Sequence, residues 1–255
     1  MKIDGKFRER VLAKEFLAGT WINLGSAFTA EMAGIAGYDW LLLDYEHGPG
    51  SDTTMASQLQ AVAATPAVGL VRIAANEPPR FKRTLDAGAQ GIMIPYVDNA
   101  DQARSAIAAM RYPPRGIRGV AKLTRATGFG TDFDEYFVRS HDWIVALPQI
   151  ETPSAVTAAP EIAAIDGVDV LFVGPMDLTT CLGIPGEYEH PLCREALRKV
   201  ANAARNAGKA AGILLMNSKH VPMCRELGYS FIALGSDGGA VANGLRHNLT
   251  ALRSS

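Results

Sequence analysis

Eight short apolar runs, each followed by a segment with helical spacing, recur along the chain. They are 20–24, Trp40-Leu41-Leu42-Leu43-Asp44, 68–73, 91–95, 143–150, 168–173, 210–215 and 229–234. Runs that are apolar throughout, rather than alternating, belong to strands buried on both faces, and such strands form parallel sheets covered by helices. Open doubly wound sheets usually have about five to seven strands, so this count favours a closed barrel. The expectation is an α/β protein, a single (β/α)8 TIM barrel over residues 1–255, close to the roughly 250 residues typical of that fold. A helix from Phe7 to Leu17, closed by Gly19, would precede the first strand, and a helix from Ala240 to Leu252 would end the chain. Ser26 can cap the helix 29–36, and Ser51 or Asp52 the next. Pro78 and Pro79 fit a first helical turn, where a missing N–H does little harm. The period is broken by two insertions, 111–140 and 181–191; ordered loops of this length in enzymes tend to be functional.

A net charge of −1 offers no attraction for nucleic acid or an anionic membrane. No apolar run approaches the roughly 20 residues of a membrane-spanning helix. The charged start, Met1-Lys2-Ile3-Asp4-Gly5-Lys6-Phe7-Arg8, has no apolar core of a secretory signal. Cys181, Cys193 and Cys224 form neither a zinc spacing nor a disulfide framework. A cytoplasmic protein acting on small molecules is expected.

In a barrel the C-terminal strand ends converge on one face. That face would gather Asp44, Glu46 and His47 after the second strand, Arg72 from the third, Gln149 and Glu151 from the fifth, and Asp177 after the sixth. A buried guanidinium keeps its proton and needs an anion, either a ligand or a barrel carboxylate. Glu151 and Asp177 lie on adjacent strands, and two close carboxylates repel unless a proton or a cation sits between them. Hard oxygen ligands without cysteine or paired histidine suit Mg²⁺ or Mn²⁺. The alternative is that each acid caps the helix after it. Glu46 either meets metal-bound water or neutralises the arginine. No lysine falls at a strand end, so a Schiff base has no amine, and a metal is the better electron sink. His141, His190, His220 and His247 read as structural or surface residues. The segment Gly235-Ser236-Asp237-Gly238-Gly239 reads as a turn, because Asp237 would repel a phosphate.

Five stretches, in this order, resemble the HpcH/HpaI family of metal-dependent pyruvate aldolases: Asp44-Tyr45-Glu46-His47-Gly48-Pro49, Leu85-Asp86-Ala87-Gly88-Ala89-Gln90-Gly91, Arg111-Tyr112-Pro113-Pro114-Arg115-Gly116-Ile117-Arg118-Gly119, Gln149-Ile150-Glu151-Thr152 and Val173-Gly174-Pro175-Met176-Asp177-Leu178. The likeness runs from about Trp21 to Leu234. It implies a divalent metal (Mg²⁺, Mn²⁺ or Co²⁺) on Glu151 and Asp177, with pyruvate held by Gln149, Arg72 and the backbone at Gly174 and Pro175. It implies His47, oriented by Asp44, as general base acting through a water. It also implies a homo-hexamer built as a trimer of dimers, with the last helix exchanged between neighbours and Asp86 reaching a neighbouring site. Arg125 matches the position where the family contacts an aldehyde bearing an acid group. The chain departs from that pattern at Gly48-Pro49-Gly50 and around Arg125, at 124–130. These departures bear on the aldehyde half of the site.

The activity so implied is cleavage of 4-hydroxy-2-oxo acids to pyruvate plus an aldehyde, and the reverse addition. Two alternatives stand beside it. A CoA-ester lyase of the citramalyl or malyl type would need a CoA groove, against which the short chain and the Glu-His-Gly-Pro motif count. A non-catalytic oxo-acid binding barrel would have no need to keep base, arginine and both metal ligands, and all are present.

Overall fold

The computed structural model describes residues 3–254. Eight parallel strands close into one barrel in sequence order: β1 (Leu17–Ile22), β2 (Trp40–Asp44), β3 (Val68–Arg72), β4 (Gly91–Ile94), β5 (Val145–Ile150), β6 (Val170–Val173), β7 (Ala210–Leu215) and β8 (Tyr229–Ser236). The helices are α1 (Lys6–Leu12), α2 (Ala27–Ile35), α3 (Asp52–Ala63), α4 (Pro78–Asp86), α5 (Ala100–Met110), α6 (Phe133–Trp143), α7 (Pro153–Ala163), α8 (Pro175–Cys181), α9 (Pro191–Asn206), α10 (Val221–Leu227) and α11 (Asp237–Ser254).

Side chains on a strand alternate between faces, and this period of two builds both the core and the site. Trp40 and Leu42 of β2, Leu70 of β3, Val145 and Leu147 of β5, and Val170 and Phe172 of β6 fill the barrel interior. Their neighbours Leu41, Leu43, Val71, Ala146 and Leu171 pack outward against the helices. Aromatic rings close the interior: Trp40 stacks on Phe231 at 4.1 Å, and Trp21 lies 5.4 Å from Phe172. From α1, Phe7 plugs the base against Phe231. Continued one or two steps towards the C-terminal rim, the inward parity falls on Asp44, Arg72, Gln149 with Glu151, and Gly174. The sequence order of apolar and charged residues along each strand therefore stacks an oily layer beneath a charged one.

Several boundaries differ from those expected. The first helix ends at Leu12, where Lys14 takes a positive φ of 60°, and β1 begins at Leu17. Gly19 lies inside β1 rather than stopping a helix: a Cβ there would stand 2.1 Å from the Trp40 ring, so only glycine leaves room for that indole. Trp143 ends α6 instead of opening β5, and the insertion after α5 holds a 3₁₀ segment (Arg125–Gly130) followed by α6. The stretch 235–239 is not a turn. β8 runs to Ser236 and α11 starts at Asp237, whose carboxylate accepts from the Asn23 N–H at 2.8 Å and the Thr29 hydroxyl at 2.6 Å.

Two helices each carry at least three large apolar residues into solvent: Phe28, Met32 and Ile35 on α2, and Leu245, Leu249 and Leu252 on α11. No helix among the described residues is long and apolar enough to cross a membrane.

Candidate active site

Arg72 organises one side of the rim. It is buried, and its Nε and Nη2 donate to the two Asp44 oxygens at 2.9 and 2.7 Å, a bidentate pair set by the register that puts Asp44 beside Arg72. Its Nη1 stands 2.8 Å from Glu46 Oε2, an ion contact without the alignment of a hydrogen bond. A guanidinium has five N–H groups; two donate to Asp44 and one is turned to Glu46, so two remain for a ligand. Glu46 thus faces the arginine. Burial raises the Glu46 pKa, and Arg72 pulls it back down. The Asp44 carboxylate also accepts from the backbone N–H of Glu46 (3.1 Å) and of His47 (3.3 Å). Asp44 thus fixes His47 through the main chain. Gly48 makes the tight turn that follows: a Cβ there would meet the Asp44 carbonyl oxygen at 2.2 Å.

The other side holds the carboxylates. Glu151 is buried at the end of β5; its Oε1 accepts from the Tyr96 N–H at 2.8 Å and its Oε2 from Gln149 Nε2 at 2.8 Å. Tyr96 sits just past β4 with a positive φ of 51°, a costly conformation for a residue with a side chain, and it delivers its N–H to Glu151. Neither acid caps the helix after it. Thr152 caps α7, and α8 starts from Gly174 with no side-chain cap. Burial pushes the Glu151 carboxyl up to about 7; the Tyr96 N–H lowers it, while Glu46 and Asp177 push it further up.

This arrangement fits a divalent cation. Asp44, Glu46 and Glu151 act on the single guanidinium of Arg72, and Asp177 stands close enough to act on Glu46 and Glu151, leaving an excess of negative charge that a divalent ion offsets. Gln149 Oε1 is buried without a partner. Gly174 leaves a cradle beside Glu151, where a Cβ would stand 2.8 Å from Oε2. Among the described residues no group of three His, Cys, Asp or Glu side chains is gathered as a cage. A pair of carboxylates suits Mg²⁺-like ions, which keep several water or substrate oxygens.

Trp21, His47, Arg72, Gln149, Phe172, Gly174, Pro175, Met176, Asp177, Tyr188, Leu214 and Met216 line one cavity of about 350 Å³ at this rim. His47, Arg72, Gln149, Gly174, Pro175 and Asp177 were expected from the sequence; Glu151 lies beside Gln149. Asp86 and Arg125 are not in that lining. Asp86, at the end of α4, is paired with the buried Arg118 at 2.7 Å, and Arg118 lies 4.5 Å from the centre of the Tyr112 ring. Arg125 donates to the backbone oxygens of Ala87 (2.9 Å) and Leu59 (3.1 Å). Sequence reasoning missed Tyr96, which acts through its backbone N–H, and the aromatic and aliphatic wall of Tyr188, Leu214 and Met216. For β7, the strand parity was the available signal: Leu214 and Met216 continue the inward face.

The family model described as HpcH/HpaI aldolase/citrate lyase matches residues 17–244. A protein of Agrobacterium fabrum named hydroxypyruvate/pyruvate aldolase is 41% identical over 244 residues, 95% of this chain and 91% of that one. One of Salmonella dublin named 4-hydroxy-2-oxo-heptane-1,7-dioate aldolase is 40% identical over 238 residues, 93% and 90% of the two chains. A crystal structure of an HpcH/HpaI aldolase/citrate lyase family protein from Burkholderia cenocepacia superposes with a TM-score of 0.93 at 38% identity, covering 98% of this chain and all of the other.

Proposed function

The chain belongs to the HpcH/HpaI aldolase/citrate lyase family, and from that premise we propose that it is a divalent-metal-dependent aldolase that cleaves 4-hydroxy-2-oxo acids to pyruvate and an aldehyde. It is a carbon–carbon lyase of the class II type. The observation that carries the reading is the gathering of Arg72, His47, Gln149 and Asp177 around one cavity, with Glu151 hydrogen-bonded to Gln149.

The metal ligands of this reading are Glu151 and Asp177, and Mg²⁺, Mn²⁺ and Co²⁺ are the candidate ions. When bound, the cation supplies Lewis-acid stabilisation of charge developing on the 2-oxo oxygen. The carboxylate and 2-oxo end of the substrate takes the remaining N–H groups of Arg72 and the Gln149 amide; the backbone at Gly174, whose N–H already donates to the Ile150 carbonyl at 3.3 Å, and at Pro175, which has no N–H, shapes the floor beside it. His47, held by Asp44, accepts the proton of the C4 hydroxyl. The C4–O bond becomes a carbonyl, the C3–C4 bond breaks, and its electron pair passes into the enolate of pyruvate. A donor N–H fixed in advance at the developing charge needs no reorganisation as the charge forms, which is the contribution of Arg72. Protonation at C3 completes pyruvate.

The same reading makes the protein a homo-hexamer, a trimer of dimers in which α11 is exchanged and Asp86 reaches a neighbouring site. The exposed apolar residues of α2 and α11 support it, because solvent-facing stripes of that size usually mark contact surfaces. The unpaired cysteines, two of them buried, fit a reducing, cytoplasmic setting. The test is a coupled assay of pyruvate release across 4-hydroxy-2-oxo acids of varied tail, with Mg²⁺, Mn²⁺, Co²⁺ or chelator. Metal-dependent release is expected; undiminished release after chelation, or none from any substrate with any metal, overturns the reading.

A further inference from the structure

The ladder between β4 and β5 stops short of the rim. Its last pair is Ile94 with Pro148. A proline has no N–H to give to a ladder, and two stand at this point: Pro148 in the last pair, and Pro95 directly after Ile94. Glu151 lies beyond it, where side chains rather than backbone pairs join the two segments.

Asp98 makes that join. Its carboxylate accepts from the hydroxyl of Thr152, the residue after Glu151, and from that of Ser154 at 3.2 Å. Asp98 and Thr152 each stand four residues past the pair Ile94 and Pro148, so the side chains carry on the register of the strands. The Thr152 hydroxyl also accepts from the Ala155 N–H at 3.1 Å and so caps α7. On its other side, the Asp98 N–H donates to Gln102 Oε1 at 2.7 Å, and the Gln102 N–H donates to the α5 cap Asn99 at 2.9 Å. One residue therefore ties the start of α5 to the start of α7. Between β4 and this anchor, Pro95 and Val97 are buried, and the chain turns left-handed at Tyr96, with φ of 51°. The Tyr96 side chain is exposed, so packing of its ring does not impose the turn; the fixed chain on either side does.

The consequence falls on Glu151. A carboxylate offers about four lone-pair sites, two on each oxygen. The Tyr96 N–H takes one on Oε1 and the Gln149 amide takes one on Oε2, both at 2.8 Å. One site is left on each oxygen for a cation, and the plane of the carboxylate is fixed before the cation arrives. Every bond in this arrangement lies within one chain, so neither a neighbouring subunit nor the cation is needed to complete it.

We propose that the loop 95–99 is a yoke for the metal ligand Glu151: Asp98 and the left-handed backbone of Tyr96 are positioning residues of the cation site, acting through hydrogen-bond geometry rather than through the charge of Asp98 or the ring of Tyr96. The proposal rests on the aldolase reading, in which Glu151 holds the cation, and names what orients that ligand. It adds no bond-making step to the reaction.

The experiment measures the Kd for Mn²⁺ by calorimetric titration, with the Tm of each variant in chelator as the check on folding. Asp98→Ala is expected to weaken Mn²⁺ binding about tenfold or more, the scale on which partners of a metal ligand act. Asp98→Asn keeps an acceptor oxygen for both hydroxyls, so its affinity should stay within about threefold of the unaltered protein, a rescue that an effect of charge would not give. Thr152→Ala opens the clamp from the other side and reads the same loss if Asp98→Ala does not fold. Combined with Asp98→Ala it should add little, because the shared bond is lost only once. Tyr96→Gly keeps the N–H and the turn; its affinity should stay within about threefold, with a Tm in chelator equal or higher. Tyr96→Val, whose branched side chain excludes the left-handed turn, should lose about tenfold or more. Affinity unmoved in Asp98→Ala and Tyr96→Val overturns the proposal, and so does a loss in Asp98→Asn or Tyr96→Gly as large as that in Asp98→Ala. No Mn²⁺ binding by the unaltered protein, or undiminished binding in Glu151→Gln, instead overturns the reading on which the proposal rests.

Discussion

The buried Glu151 carboxyl sets a stability change that a single substitution isolates. In the folded protein its pKa rises from 4.5 to about 7, chiefly through burial. A carboxyl whose pKa is raised on folding is penalised where it ionises. The penalty is absent below the unfolded value near 4.5, grows between pH 4.5 and 7, and is full above pH 7. At about 1.4 kcal/mol per unit the full penalty is about 3 kcal/mol. Glu151→Gln removes the charge and keeps the shape. The new amide can still accept from the Tyr96 N–H. Its NH2 would face the Gln149 Nε2, but a flip of Gln149 turns its unpartnered Oε1 towards that NH2. In chelator at pH 8 the variant is therefore expected to be more stable than the unaltered protein by up to about 3 kcal/mol, a rise in Tm of about 6–12 °C for a chain of this size. At pH 4.5 the difference should vanish. Divalent cation should recover the deficit of the unaltered protein at pH 8 and leave the variant unmoved. Thermal melts at the two pH values, with chelator and with Mg²⁺, read all four states. Equal melting temperatures at pH 8 in chelator, or an equal response to Mg²⁺, would refute the linkage between burial, charge and metal.

Three further outcomes follow from the same geometry. Gly174→Ala places a methyl 2.8 Å from Glu151 Oε2 and 3.0 Å from Gln149 Nε2; calorimetric titration should show cation affinity lower by about 10–100-fold, with about 1–3 kcal/mol of stability lost. His47→Ala should lower kcat by about 10²–10⁴ while pyruvate binding persists, measured by steady-state kinetics and by inhibition with pyruvate. Leu245→Asp with Leu249→Asp on α11 should reduce the particle mass in analytical ultracentrifugation and leave the circular dichroism of the barrel intact; an unchanged mass would remove α11 from the subunit contact.

The charged half of this rim is legible in the sequence because the residues that build it are unusual where they stand. Arg72 ends an apolar strand, and Glu151 follows another; a continuous apolar run such as Trp40–Leu43 fixes both the strand and the parity of the acid after it. The apolar half is not legible in the same way. Leu214 and Met216 look like any core residues, and Tyr188 reaches the cavity through a loop whose path depends on Thr179. Tyr96 contributes an N–H group, which every residue but proline has. Local signals also misled at Gly19, whose role is set by the indole of Trp40, a residue on the neighbouring strand. At Asp237 the acid and its flanking glycines suggest a turn, whereas the carboxylate ties β1 and α2 to the start of α11. Asp86 and Arg125 stood out only through the resemblance, and in a single chain they serve Arg118 and the backbone oxygens of Leu59 on α3 and Ala87 just after α4.

Exchange of the pyruvate methyl hydrogens for deuterium, followed by NMR in D2O, tests the central claim most directly, because it needs the enolate and no aldehyde. The account predicts exchange that requires divalent cation, stops on chelation, and is lost in the Glu151→Gln, Asp177→Asn double variant. Exchange that continues at full rate in chelator or in that variant, or no exchange with any of Mg²⁺, Mn²⁺ and Co²⁺, would contradict it.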